Sequence, residues 1–547
     1  MTNPTQGTVF IGLDLGHVTR LIACHLLVPS KGGTMNQLIA SLVLVLAFSA
    51  HAAETKSIHM NLSKTRFPSV TEKSFGSFAQ VSIDGFENSK EPGAPALPVQ
   101  SWLLAGSPTD ITVRLNVKHE EVVRGLRPLP VQPQDCRCGD KKNEFQFQAQ
   151  TYETTRAPYT LTYLGSYRGQ AITRLDLRLA QYEAAQNQVT FRTDMDVTWS
   201  TQEFQFQAGD NKDYLMIVPE SFVSGISDFV EWKKSRGYNV LVEKVSSPNN
   251  STQAIAALIK KHYQEDGTDF VMLIGDDATL PMFKVSTSGS SQTPSDLPYF
   301  TMDGNDDYVP DMFGSRISAN SAEQVKAQLA KSIEFEKKDF VSSTGLKKIV
   351  GIASNEGSGP SDADYIHAIE NEFKSVLGVS SLFLHQDDSQ SNPTVLNSQL
   401  NEGAVWMTYV GHGSGTSWPS MNRSYSVSNI KQLLNKPSVK PIIIDVACMN
   451  GRVSQGYLGS SFMRADADEA GAVAYYGGTV NISWHPPAIM ARGIAFEHLK
   501  NKYKHLGEAL LAGQLYLASN WSNTTEIVDN MEWYHLQGDP GLNIEFQ

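Results

Sequence analysis

Two periods of apolar and polar residues divide the chain. From about residue 53 to 205, segments such as SFAQVSIDGF, DITVRLNVKH, YTLTYLGSYRGQAITRLDLRLAQY and QVTFRTDMDVTWS alternate apolar and polar positions, the pattern of half-buried antiparallel strands. Beyond the polar stretch TQEFQFQAGDNKD (201–213) the pattern changes. YLMIVP, NVLVEKV, FVMLIGD, KKIVGIAS, SLFLH, AVWMTYV, PIIIDVA and GAVAYYGG are short apolar runs, separated by helical stretches such as STQAIAALIKKHYQ and ADYIHAIENEFKSVLG. That alternation predicts an α/β layered fold with a mostly parallel sheet.

The expected organisation is a β-rich domain (53–205), a linker (206–212) and two side-by-side α/β subdomains (213–340 and 345–547). A length of 547 residues fits more than one core. Before these, MNQLIASLVLVLAFSAHA (35–52) reads as a cleavable signal peptide, its apolar run being short for a membrane span. Residues 1–34 read as an upstream extension of the gene. The expectation is therefore a secreted or periplasmic protein without a stable membrane span.

The most informative stretch is 404–452, where two apolar runs each end in a reactive side chain, His412 and Cys448. SVSNIKQLLN (426–435) is expected to be the helix of a βαβ unit, placing the strands side by side and opening both carboxyl ends onto one sheet edge. A thiol and an imidazole there suit nucleophilic attack on a carbonyl. Gly413 permits close backbone approach and offers its N–H as an oxyanion donor.

YVGHGSGTSW followed by IIIDVACMNG resembles the gingipain-type cysteine peptidases, family C25 of the caspase-like peptidases. MLIGDDATLP, DGNDDY, GIASNEGSGPSDAD, TVNISW and QGDPGL resemble family segments in the same order, so the resemblance spans about residues 213–547. It implies a caspase-like catalytic region and a Cys448–His412 dyad with Glu356 supporting the histidine. It further implies an S1 pocket for a basic P1 side chain, formed by Asp364, Trp484 and Val446. By position, the β-rich domain corresponds to a propeptide that inhibits the enzyme intramolecularly, with Lys212 a possible cleavage point. Asp364 also stands in SDADYIHAIE, a helix-initiating context in which a first-turn acid is favourable without any substrate.

Oxygen-rich loops suggest structural calcium. Asp276, Asp303, Asp306, Tyr308 and Asp311 resemble one family site, and Asp362 with His367 a second; no catalytic cofactor is implied. With 57 acids against 45 bases, the net charge of −12 argues against nucleic acid and leaves protein or peptide substrates as partners. Cys24 precedes the signal, and Cys136 and Cys138 are poorly spaced for a mutual disulfide or a zinc site. Cys448 is left as the sole cysteine of the resembling region. The rival from another class is a catalytically silent, calcium-dependent binding protein on the same scaffold.

Overall fold

Ten strands of the carboxyl-terminal region join in one sheet. In chain order they are β1 (Asp213–Pro219), β2 (Asn239–Val245), β3 (Phe270–Ile274), β4 (Phe313–Ile317), β5 (Lys348–Ala353), β6 (Ser380–His385), β7 (Trp406–Val410), β8 (Ile442–Val446), β9 (Ala474–Gly478) and β10 (Tyr534–Gln537). Their spatial order is β2-β1-β3-β4-β10-β9-β8-β7-β5-β6. The computed structural model describes residues 56–546, apart from 62–64, 67–68, 73, 138–142, 210–211, 358, 437 and 465–469. The predicted upstream extension and signal peptide, with Cys24 and Cys138, lie outside the described residues. Among the described residues, no helix is long and apolar enough to cross a membrane.

Eight of these strands coincide with the apolar runs. The other two, β4 (FGSRI) and β10 (YHLQ), carry polar side chains into the interior. Arg316 on β4 is fully buried against Asp296 and the carbonyls of Gly275 and Leu280. Gln537 on β10 donates to the Gly451 carbonyl. Arg316 tolerates burial because its donors are met, whereas Gln537 keeps its amide oxygen buried without a partner. These two strands form the seam between the halves: β10 runs parallel to β4 and antiparallel to β9. The two expected strand groups thus share one continuous sheet.

Strands β7 and β8 are neighbours, as their apolar runs predict, pairing Tyr409 with Asp445 and Val410 with Val446. Ile442, Ile443 and Ile444 are fully buried, each contributing about 1.5–3 kcal/mol. The crossover between these strands departs from expectation: only Val427–Ile430 is helical. Leu434, placed on the apolar face of the predicted helix, is 75% exposed. The chain there runs toward Pro437, which ordinarily excludes the residue before it from helical geometry.

The β-rich domain holds two four-stranded antiparallel sheets around its own apolar core. It does not stand apart, because Leu103, Leu164, Ile172 and Phe204 belong to the main core of the α/β region. Arg174 crosses the same boundary, donating to the carbonyls of Trp521 and Ser522.

Candidate active site

The sheet register brings His412 and Cys448 together. Val410 pairs with Val446, the Gly411 N–H donates to the Val446 carbonyl, and each reactive residue lies two positions past its strand. Gly413 packs so tightly here that a Cβ would lie 2.3 Å from the Cys448 carbonyl oxygen and 2.6 Å from its nitrogen. No other residue fits without moving the Cys448 backbone. Past Cys448 the chain turns sharply, with Met449 at φ +60° and the Asn450 N–H donating to the Cys448 carbonyl at 2.8 Å.

The loop following β5 approaches from the same edge, anchored by the Ser354 N–H on the Val410 carbonyl. It carries Glu356, whose Oε1 lies 2.9 Å from His412 Nε2. The other ring nitrogen, Nδ1, lies 2.8 Å from the carbonyl oxygen of Arg137. Both partners are acceptors, so the ring makes both bonds together only when it carries both protons.

Arg137 comes from the β-rich domain, 275 residues before His412, and its guanidinium is completely buried. Nη1 and Nη2 donate to the two oxygens of Asp362 at 2.8 and 2.9 Å, and Nε donates to the Trp484 carbonyl at 2.9 Å. Arg137 Cζ lies over the Trp484 ring, 4.4 Å from the ring centroid. Burial works against the Arg137 charge, but the facing carboxylate outweighs it and holds the group above its ordinary range. Ser354 Oγ donates to Asp362 at 2.6 Å, and the Asp362 N–H donates to the Glu356 carbonyl. One loop thus supports both the histidine's partner and the arginine's.

This geometry corrects the reading of the two neighbouring acids. Asp364 does not face the pocket. Its carboxylate accepts from the Ser361 N–H and Oγ, closing a capping box at the start of helix α1 (Asp362–Leu377). Those bonds hold its carboxyl below the usual range. Asp362, expected as a metal ligand, is the acid that meets Arg137. Ser-x-x-Asp is itself the capping-box signature, so that spacing could have directed Asp364 to the backbone. Val446 is fully buried in the same apolar cluster as Cys448 and Ile482.

Cys448 is also buried, and its sulfur accepts from the Ile482 N–H at 3.3 Å. Burial pushes its thiol up to about 12, against the opposing pull of that N–H and of Arg137. Its Sγ lies 4.0 Å from Cys136 Sγ. Arg137 is the functional group that sequence reasoning missed; its only local signal is a base between two cysteines in QDCRCGD.

The acidic loops converge differently from expectation. Among the described residues, one oxygen from each of Asp303, Asp307 and Asp311 lies within 4.8 Å of the others. Asp276 is taken up by Thr279 and Arg464, and Asp306 is exposed. His367 stands with Glu370 and Phe383, while Asp362 is committed to Arg137, so the second expected pair does not form a site. Asp307 replaces Asp306 because it turns inward, accepting from the N–H groups of Ser166, Asp303 and Val309. Burial and neighbouring acids push Asp311 up to about 6 and raise Asp307 as well.

The family description Peptidase family C25 matches residues 207–545. Gingipain R2 of Porphyromonas gingivalis is 28% identical over 353 residues, covering 61% of this chain and 46% of the relative. Lys-gingipain HG66 of the same organism is 25% identical over 554 residues, covering 85% of this chain and 31% of the relative. The chain therefore spans less than half the length of these curated relatives. Among solved structures, the Arg-specific cysteine proteinase gingipain R aligns at a TM-score of 0.56 and 27% identity, over 62% of this chain and 80% of that one. A complex of the pro- and mature domains of RgpB from Porphyromonas gingivalis aligns at 0.55 and 27%, over 60% and 79%.

Proposed function

The chain belongs to peptidase family C25, and from that premise we propose that it is a latent cysteine endopeptidase cutting after arginine, with the β-rich domain as its inhibitory prodomain. One observation carries this reading: Arg137 lies in a buried pocket beside the dyad, with both terminal nitrogens on Asp362 and its carbonyl on His412. A planar fork meeting a carboxylate, with Nε on a backbone carbonyl, uses donors that lysine lacks. The pocket accordingly favours arginine at P1.

In the active enzyme the Cys448 thiolate attacks the carbonyl carbon of the P1 residue. The N–H groups of Gly413 and Cys448 are the candidate donors to the oxyanion. His412, held through Nε2 by Glu356, delivers a proton from Nδ1 to the leaving amine, and water then hydrolyses the thioester with His412 as base. In the latent chain, Arg137 fills the pocket and its carbonyl occupies Nδ1. Burial also raises the thiol, which lowers the fraction present as the nucleophilic thiolate.

The all-oxygen donor set of Asp303, Asp307 and Asp311, whose carboxylate oxygens converge, fits a hard cation such as calcium. When bound, calcium supplies charge neutralisation at this boundary between the domains. Export to the exterior or periplasm and activation by cleavage near Lys212 complete the reading.

The test is a fluorogenic peptide library varied at P1, presented to the processed chain and to its Cys448→Ala variant. Cys448-dependent cutting after arginine supports the assignment. Cutting after uncharged residues removes the pocket assignment, and no cutting by demonstrably processed enzyme removes the function.

A further inference from the structure

The residue before Arg137 is a cysteine, and its sulfur touches that of Cys448. Three observations make this contact chemically directed. The two Sγ atoms are 4.0 Å apart. Cys136 is disulfide-bonded, while Cys448 is a free cysteine. Cys136 therefore has no proton to give, and in this contact the Cys448 thiol is the donor. Finally, the approach is fixed from several sides. Cys136 pairs with Ser483 in an antiparallel bridge, the Arg137 N–H donates to the Ile482 carbonyl at 3.1 Å, and the Asp362 clamp holds the next side chain.

We propose that Cys448 exchanges with the Cys136 disulfide, forming a Cys136–Cys448 bond that converts the inhibitory segment into a covalent latch. The Cys448 thiolate attacks Cys136 Sγ and displaces the sulfur now bonded to it. One S–S bond forms, one breaks, and the former partner of Cys136 leaves as a thiolate that takes up the proton Cys448 gave away. No external oxidant enters, because the disulfide already present supplies the oxidation state. The Ile482 N–H on the Cys448 sulfur favours the attacking thiolate. This rests on Cys448 as nucleophile and deepens the latency proposed above. Activation then requires two signals: cleavage of the chain, and a low-molecular-weight thiol that reduces the latch.

The test follows where the thiol resides. The full latent chain is incubated at mildly alkaline pH without reductant, alkylated, digested and mapped by mass spectrometry without reduction. The expected result is a linked pair of peptides carrying Cys136 and Cys448. Cys448 loses its alkylation label while the total number of free thiols stays constant, and dithiothreitol restores the label. Cys136→Ser leaves Cys448 alkylatable throughout. A folded wild-type chain that keeps its free thiol on Cys448, with no linked pair, overturns the proposal. Loss of the label together with a fall in total thiols also overturns it, since that marks external oxidation. The nucleophile is tested separately by Cys448→Ala in processed enzyme. Activity lost there, with no linked pair in the wild type, leaves the peptidase standing and removes only the latch.

Discussion

Arg137 and Asp362 form a bidentate ion pair at 2.8 and 2.9 Å with neither side chain exposed to solvent. The pair joins the amino-terminal β-rich domain to the first turn of α1 in the catalytic region. Removing one partner strands the other as a buried charge, which costs about 2–5 kcal/mol. Arg137→Ala in the uncleaved chain is therefore expected to raise turnover of a small P1-Arg substrate about 10-fold or more. Arg137→Lys should fall between, since lysine keeps the charge and loses the fork. Basal activity unchanged in Arg137→Ala would show that latency lies elsewhere.

Asp362→Asn and Asp364→Asn separate the pocket from the cap. In processed enzyme, Asp362→Asn is expected to lower kcat/KM for P1-Arg by about 100-fold or more, with a smaller loss for uncharged P1 residues. Asp364→Asn should leave that ratio unchanged and lower stability by up to about 1 kcal/mol, read as a thermal shift. The reverse outcome would restore the pocket role to Asp364.

Alkylation of Cys448 reports its burial. With the thiol pushed up to about 12 in the latent state, the labelling rate in the Cys136→Ser chain, where no exchange competes, should rise about tenfold per pH unit through the alkaline range. Its raised value also means that stability is fully present below the unfolded value of 9.0, and is lost as pH rises through the folded value. Removing the prodomain exposes the sulfur to water, so the processed enzyme should label faster with a lower midpoint. Identical profiles for the two forms would contradict occlusion by the prodomain.

Glu356 touches His412 and not the bound arginine side chain. Glu356→Gln is expected to lower kcat about 10- to 100-fold with little change in KM, because it loosens the ring that moves the proton. A change confined to KM would place Glu356 in substrate binding instead.

Calcium should raise the melting temperature of the chain, and a chelator should reverse this, by mass action on the folded state. Asp307→Ala should abolish the calcium response, whereas Asp306→Ala should retain it. Equal responses in both variants would remove the Asp303, Asp307 and Asp311 site.

The sequence alone was enough to predict the layered α/β class, the strands ending in His412 and Cys448, and their placement on one sheet edge. The reason is local: uninterrupted apolar runs must be buried on both faces, and a short crossover leaves parallel strands adjacent. Strands β4 and β10 were invisible to that logic. Arg316 enters the interior because distant residues satisfy it, and Gln537 bonds across to the Gly451 carbonyl, so the seam joining the sheet's halves emerges from tertiary packing. The choice between Asp362 and Asp364 depended on helix phase: Ser361 claims the later acid for the backbone and leaves the earlier one facing inward. Arg137 lies farthest beyond the reach of sequence patterns. A base in a polar loop is ordinarily solvated, and what draws this one inside is a carboxylate 225 residues away that becomes its partner only when the two domains close on each other.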